Sequence, residues 1–358
     1  MTDVRTVTIG SRQVGPGEPV FLIAEMAWAH DGTLANALTI ARGAVDAGVD
    51  ALNVHLTSMP GYMVRYYGSG PGKVSAGKDV EPVYDYLVRI SLSESDLIEV
   101  ARVSHAGGIK ISAMANDIPS LGLADQMAAD IYAVPPACLV ERPYLEALGE
   151  RQKVVLLGIG GATLAEIEQA INILASKGTN DVLLQYGIQN YPTDPRLVNM
   201  RYLVSLQNAF GLPVFYHDHS EGGTKLASEI PMLSIPLGIC GIEKHMTHNR
   251  AAKGEDFESA LDPADLKLFV ENVRIAEAAL GRSNWRSLTE NEIRYRGVVR
   301  KRAVAREALA VGATLDFSTV VFKRCDEGLY PDEFERVIGR RTKVAIAADD
   351  AITADSVA

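Results

Sequence analysis

The chain has little cysteine. Cys138, Cys240 and Cys325 are the only three in 358 residues, and they stand far apart. That number and spacing exclude a disulfide framework and a thiolate zinc cluster, and make a reducing cytoplasm the expected location. Long apolar runs are missing as well: no stretch approaches the ~20 uninterrupted apolar residues of a membrane span. The opening MTDVRTVTIG lacks the basic-then-apolar order of a secretory signal. Positive charge is outnumbered, 35 Lys and Arg against 45 Asp and Glu, for a net charge of −10. This argues against a nucleic-acid surface. The expected partner is therefore a small molecule, with no nucleic acid and no membrane. An anionic substrate stays open, because it needs only local positive charge.

Histidine is what the chain places with a pattern. Two of seven lie in His217-Asp218-His219, and two more in Glu243-Lys244-His245-Met246-Thr247-His248. Each group ends a short apolar run, PVFY and ICGI. His30 follows FLIAEMAWA and His55 ends ALNVH, while His105 falls inside an ordinary helical pattern. Imidazole binds transition metals and moves protons near neutral pH, so histidines gathered at strand ends point to a metal-centred site.

Eight β-like runs recur: Phe21–Met26, Ala51–Leu56, Lys110–Ala115, Ile131–Pro135, Lys153–Gly158, Asp181–Gly187, Pro213–His219 and Gly241–Met246. Helical patterns separate most of them, among them LANALTIARGAVDAG, SESDLIEVARVSHAGG and GTKLASEIPMLSIPLG, and DPADLKLFVENVRIAEAALG follows the last. Thr163 and Glu166 form a capping-box signature, and Gly48, Gly108 and Gly178 close helices. Strand and helix alternating about eight times predict a (β/α)8 barrel, a TIM barrel, whose active site lies at the C-terminal ends of its strands. Glu25, His30, His55, Asn190, His217, His219 and His245 would converge there. The competing doubly wound sheet lacks a G-x-G-x-x-G after its first strand. GIGGAT at Gly158–Thr163 reads as a βα turn or a weak anion loop.

Thr57–Tyr84 is long for a βα loop and carries Tyr62, Arg65, Tyr66, Tyr67 and Lys73. It reads as a surface excursion or as a lid over the mouth. The chain divides into a barrel over residues 1–281, a polar linker over 282–296 and a compact β-rich module over 297–358. The module is below the ~70–80 residues at which a lone core becomes marginal, so it is expected to lean on the barrel or on a second subunit.

Several motifs then coincide in order: Ile23-Ala24-Glu25-Met26-Ala27-Trp28-Ala29-His30-Asp31-Gly32, Asn190-Tyr191-Pro192-Thr193, Tyr216-His217-Asp218-His219-Ser220, Glu243-Lys244-His245-Met246-Thr247 and Lys253-Gly254-Glu255-Asp256. The tail adds Arg300-Lys301-Arg302-Ala303-Val304-Ala305 with Leu309, Gly312 and Leu315. Over nearly the whole chain these resemble the sialic acid synthase (N-acetylneuraminate synthase) family, with a C-terminal SAF, or antifreeze-like, domain. The resemblance implies a divalent metal, Mn2+ in the first place with Zn2+, Fe2+ and Mg2+ open, held by His219 and His245. It implies condensation of phosphoenolpyruvate with an open-chain sugar aldehyde, the enolpyruvate carbon attacking, water adding and phosphate leaving. Glu25 would stand by the metal, with Lys244, His217 or His55 sharing proton handling. Asn53, Asn190, Tyr191 and Asp256 would contact substrate. The resemblance also implies a homodimer in which Arg300 of one SAF domain reaches the other subunit's mouth.

The chain departs from the family where phosphoenolpyruvate would bind. Asn53 replaces a lysine, His55 a glutamine, Ala113 a threonine, Ala133 a lysine, Pro136 a serine and His217 a serine. Each charge-assisted bond lost is worth ~1.5–3 kcal/mol. The alternative is therefore a repurposed metal-dependent aldolase or lyase, isomerase or hydrolase acting on a sugar-like compound without phosphoenolpyruvate. A non-catalytic binding paralogue is the third reading. Asp218 is expected to orient its neighbours, His30 to bind or to cap a helix, and His248 to sit in solvent.

Overall fold

The computed structural model describes residues 4–67, 82–281 and 285–358. Eight runs dominated by aliphatic residues form its central strands: β3 (Phe21–Glu25), β4 (Ala51–Leu56), β5 (Lys110–Ala115), β6 (Ile131–Val134), β7 (Val154–Gly158), β8 (Val182–Tyr186), β9 (Val214–Asp218) and β10 (Gly241–His245). They pair in parallel and in sequence order, and β10 returns to β3 to close the barrel. Each expected strand agrees with the observed one to within a residue at either end. A short antiparallel hairpin, β1 (Val7–Ile9) and β2 (Arg12–Val14), precedes them.

Helices α1 (Leu34–Ala47), α2 (Met59–Tyr62), α3 (Val83–Ile90), α4 (Glu94–Ala106), α5 (Ile118–Gln126), α6 (Arg142–Gly149), α7 (Leu164–Ser176), α8 (Tyr202–Phe210), α9 (Leu226–Met232) and α10 (Pro263–Leu280) fill the connections. The Thr163–Glu166 capping box opens α7 as expected. The Gly223–Gly238 stretch, expected as one helix, yields only α9 and a 3-10 turn at Ile235–Leu237. Pro231 and Pro236 remove the amide donors that a longer helix needs.

A β-strand's pleat sends successive side chains to opposite faces. The lower half of the barrel is filled by Phe21, Ile23, Ala51, Ile131, Val154, Leu156 and Phe215, and Val7, Ile9 and Val14 of the hairpin join them from below. Gly241 is required at this level, because a Cβ there would meet the Phe215 ring at 2.3 Å. Above this apolar floor the inward positions turn polar.

The outward face of β9 and β10 carries a buried ion pair. Lys244 Nζ contacts Asp218 Oδ2, and both side chains are almost wholly buried. Asp218 also accepts the Tyr216 hydroxyl at 3.0 Å and the Ser220 hydroxyl at 2.7 Å. Lys244 therefore points away from the barrel interior and does not join the catalytic groups, a correction to the expected proton-handling role. The cause is register: Glu243 and His245 face in, so the residue between them faces out. Ala113 likewise packs among the outer apolar residues, and Ser112 and Met114 face inward in its place.

Of the Thr57–Tyr84 stretch, α2 and the start of α3 are described, and Arg65 pairs with Asp85 at 3.4 Å. Tyr66 and Tyr67 are exposed, and residues 68–81 of the expected lid, Lys73 among them, lie outside the described residues. No helix among the described residues is long and apolar enough to cross a membrane.

The chain falls into two compact units, Met1–Gly281 and Arg282–Ala358. In the second, β11 (Arg302–Ala305) pairs antiparallel with β12 (Val320–Lys323). Phe334 of the short α12 (Pro331–Glu335) anchors its core with Ala303, Leu315, Val320 and Ile352. The segment expected to be a linker is partly helical: α11 (Glu290–Val299) starts on a Thr289–Glu292 capping box. The polar composition that suggested a linker reflects a helix with no buried residue.

Removing one partner of a buried ion pair strands the other charge. Lys244→Met is expected to lower stability by about 3–5 kcal/mol, and Lys244→Met with Asp218→Leu to recover most of that loss. Urea unfolding of the wild type and both variants measures it.

Candidate active site

The polar inward positions above the apolar floor stand on two successive levels of the mouth. They are Glu25 from β3, Asn53 and His55 from β4, Gln185 from β8, His217 from β9, and Glu243 and His245 from β10. His219 follows one step beyond β9. A cavity of about 310 Å³ opens here, and its wall includes Glu25, His55, Gln185, Tyr191, His217 and His245. No Lys or Arg lines it among the described residues.

Two buried carboxylates lie close together here, and Glu25 is the one that lines the cavity. Glu25 Oε1 accepts the Ala27 amide at 2.6 Å, and Oε2 accepts the Asn53 side-chain amide. The same Asn53 nitrogen lies 3.5 Å from Glu243 Oε2. Asn53, expected as a substrate contact, is instead wholly buried as the bridge between the two acids. Burial opposes the charge on Glu25, but His55, with Nε2 3.6 Å from Oε1, and the other neighbours outweigh it and hold its pKa down to about 2. Burial and the Glu25 charge push the Glu243 carboxyl well up. The two carboxyls thus shift in opposite directions, Glu25 toward its charged form and Glu243 toward its neutral form. Burial works against a charged His55, but the Glu25 carboxylate raises its pKa overall.

The histidines behave in the opposite way. Burial holds His219 down to about 4 and His245 down to about 3, and His217 lies well below the usual imidazole range. All three are neutral at pH 7, the form that ligates metals. His219 Nδ1 lies 2.7 Å from the Ile188 carbonyl, which can only accept, so that nitrogen carries the hydrogen and Nε2 keeps its lone pair. His245 Nδ1 and Nε2 are buried without any hydrogen-bond partner. Partnerless buried nitrogens beside other imidazoles are what a bound cation would satisfy, so these residues fit a divalent metal.

Other expected residues spread more widely. Tyr191 packs on His219 with ring centroids 4.4 Å apart and lines the cavity, its hydroxyl bonded to Gln189 Oε1 at 2.8 Å. The Asn190 side chain is exposed and does not line the cavity, though its carbonyl accepts the Thr193 hydroxyl at 2.6 Å. Asp256 stands half-buried near His55. Arg300 belongs to the second unit, exposed, with its guanidinium 5.7 Å from the Tyr330 ring. His30 is structural: its Nδ1 accepts the Gly32 amide at 3.1 Å. His248, expected in solvent, lies 3.1 Å from the Ala29 carbonyl through Nδ1 and ties the loop after β10 to the loop after β3.

Glu243 and Gln185 went unassigned from sequence. Alternation held their signal, since each is a polar residue two positions from another inward-facing side chain.

A closed (β/α)8 barrel with acids and imidazoles converging at the C-terminal mouth defines a barrel enzyme of the kind that draws its active site from several strand ends. The NeuB family model matches residues 40–284, and the SAF domain model matches residues 300–358. The chain belongs to the NeuB family and is an enzyme of the sialic acid synthase type. It is 25% identical to the N,N'-diacetyllegionaminic acid synthase of Legionella pneumophila over 343 residues, 95% of each chain. It is also 25% identical to the N-acetylneuraminate-9-phosphate synthase of Homo sapiens, over 95% of this chain and 95% of that one. The crystal structure of N-acetylneuraminic acid synthetase from Leptospira borgpetersenii, in complex with citrate, superposes with a TM-score of 0.70 at 24% identity. That match covers 83% of this chain and 98% of the other, and supports the fold.

Asp256 generates a pH test. Burial, then the Glu255 charge, pushes its carboxyl up to about 7. A folded pKa above the unfolded value means a stabilising contribution that is full below about pH 4 and lost as pH rises through about 7. Asp256→Asn removes this titration. Urea midpoints of the wild type should fall relative to the variant between those pH values, and parallel profiles would refute the assignment.

Proposed function

We propose that this protein is a metal-dependent carbon–carbon bond-forming synthase. It joins a phosphoenolpyruvate-like donor to the aldehyde of a sugar or another polyhydroxy compound. The observation that carries the reading is the convergence of Glu25 with His219 and His245 at the mouth of a NeuB-family barrel. His219 and His245 would hold the divalent ion. Such an ion, when bound, polarises a carbonyl oxygen as a Lewis acid.

The chain's own groups do the rest. Glu25 keeps a negative charge at the floor, held there by Asn53 and the Ala27 amide. Glu243, shifted toward its neutral form, lies 3.5 Å from the Asn53 amide and 3.3 Å from His217 Nε2 and would act on substrate only through those neighbours. His55, held more basic by Glu25, takes or returns a proton at the wall. Tyr191 packs over the imidazoles and limits access of water from that side. Tyr191, which lines the cavity, and Asp256, near His55, would contact hydroxyl groups of the acceptor. The same reading makes the chain a homodimer in which Arg300 of the partner subunit contacts the acceptor.

A second reading has its own support: among the described residues the cavity wall holds no lysine or arginine, and it holds the Glu25 carboxylate. An anion of nearly three charges is poorly matched to that wall. A metal-dependent aldolase or lyase, an isomerase or a hydrolase acting on a less charged sugar-like compound suits it better. Phosphate release from phosphoenolpyruvate, measured with Mn2+ and a panel of aldehyde sugars, separates the two. The synthase should release phosphate only with an acceptor present, and lose at least ~100-fold in rate on chelation or on His219→Ala. Silence with every acceptor would favour the second reading.

A further inference from the structure

The pairing of β9 with β10 sets Glu243 beside His217. The two-residue repeat of the pleat then carries His219 and His245 one level higher on the same inner face. The outcome is a triangle of imidazoles. Ring centroids are 4.1 Å apart for His217 and His219, 5.2 Å for His219 and His245, and 5.3 Å for His217 and His245. One nitrogen from each lies within 4.8 Å of the other two. With Nδ1 committed to the Ile188 carbonyl, His219 aims Nε2 at His217 Nε2, 3.1 Å away. His245 completes the triangle with two buried nitrogens that have no hydrogen-bond partner, an arrangement that is unfavourable unless something satisfies it.

We infer that His217 is a third protein ligand, joining His219 and His245 in a three-imidazole centre that selects a borderline transition metal over Mg2+. The inference rests on the metal-site reading above. It goes beyond that reading because the resemblance supplies two histidines and a serine at position 217. Three nitrogen donors favour ions such as Co2+, Zn2+ and Fe2+, whereas Mg2+ prefers oxygen and keeps its waters. The competing role for His217 is polar packing alone: its Nε2 is 3.1 Å from His219 Nε2 and lies 3.3 Å from Glu243 Oε1.

Co2+ binding to the purified full-length chain separates the two roles. Affinity is read by competition with a chelator, with Mg2+ as a second competitor. The visible absorption of bound Co2+ reports the ligand set. The wild type should take up one Co2+ per chain that excess Mg2+ does not displace. Outer-shell partners alone change metal affinity by ~10–100-fold, so loss of a ligand in His217→Ser should weaken Co2+ by about 100-fold or more and change the absorption spectrum. His217→Gln keeps a polar side chain of similar volume beside Glu243, and should lose affinity equally; circular dichroism checks that each variant is folded. If His217→Ser and His217→Gln both keep wild-type affinity and spectrum while His219→Ser loses them, the third ligand is overturned and the two-histidine reading stands. Ready displacement of Co2+ by Mg2+ overturns the selectivity. Failure of the wild type to bind Co2+ at all overturns both readings.

Discussion

The register between β9 and β10 governs the mouth of this barrel. A slip of one residue would turn every side chain of a strand to its other face. It would send His217 and His245 out among the helices and bring Asp218 and Lys244 inside. The Asp218–Lys244 pair, closed by Tyr216 and Ser220 on the outer face, works against that slip. Either strand moved alone would break the pair and leave a charge in a dry interior. The groups that look least catalytic in the neighbourhood thus keep the imidazoles aimed.

Inside the mouth, burial acts in opposite directions on acids and bases. It pushes three imidazoles and the Glu243 carboxyl toward their neutral forms, and the charge stays with the carboxylate that has His55 for company. The site therefore has lone pairs, a carboxyl shifted toward neutrality and an anion within a few ångströms, each maintained by its neighbours. Removing any member alters the state of the others, so single substitutions here are not expected to add.

Much of this arrangement was legible before any coordinates. The strands showed because parallel strands buried on both faces read as continuous apolar runs, and the helices between them carry capping residues and closing glycines. The convergence of Glu25, His55, His217, His219 and His245 followed from placing them at strand ends. Lys244 was misread because a motif shows which residues stand together but not which face each takes. Counting alternation from His245 would have turned Lys244 outward and Glu243 inward. Ala113 failed for the same reason. Asn53 showed as a replaced lysine, but its work as a bridge between two acids depends on strands brought together by barrel closure, which no local pattern carries. The 282–296 linker hid a helix because α11 has no apolar stripe to reveal its period.

The hairpin at the foot of the barrel has a consequence for traffic. Val7, Ile9 and Val14 stopper the lower end by packing against the apolar floor above them. The tube is blind. Whatever enters, water included, must leave by the same mouth, so the first compound to settle on the floor is trapped beneath the second. Two compounds seated one above the other would depart in the reverse order of their arrival, unless the chemistry itself makes the deeper fragment small enough to slip past.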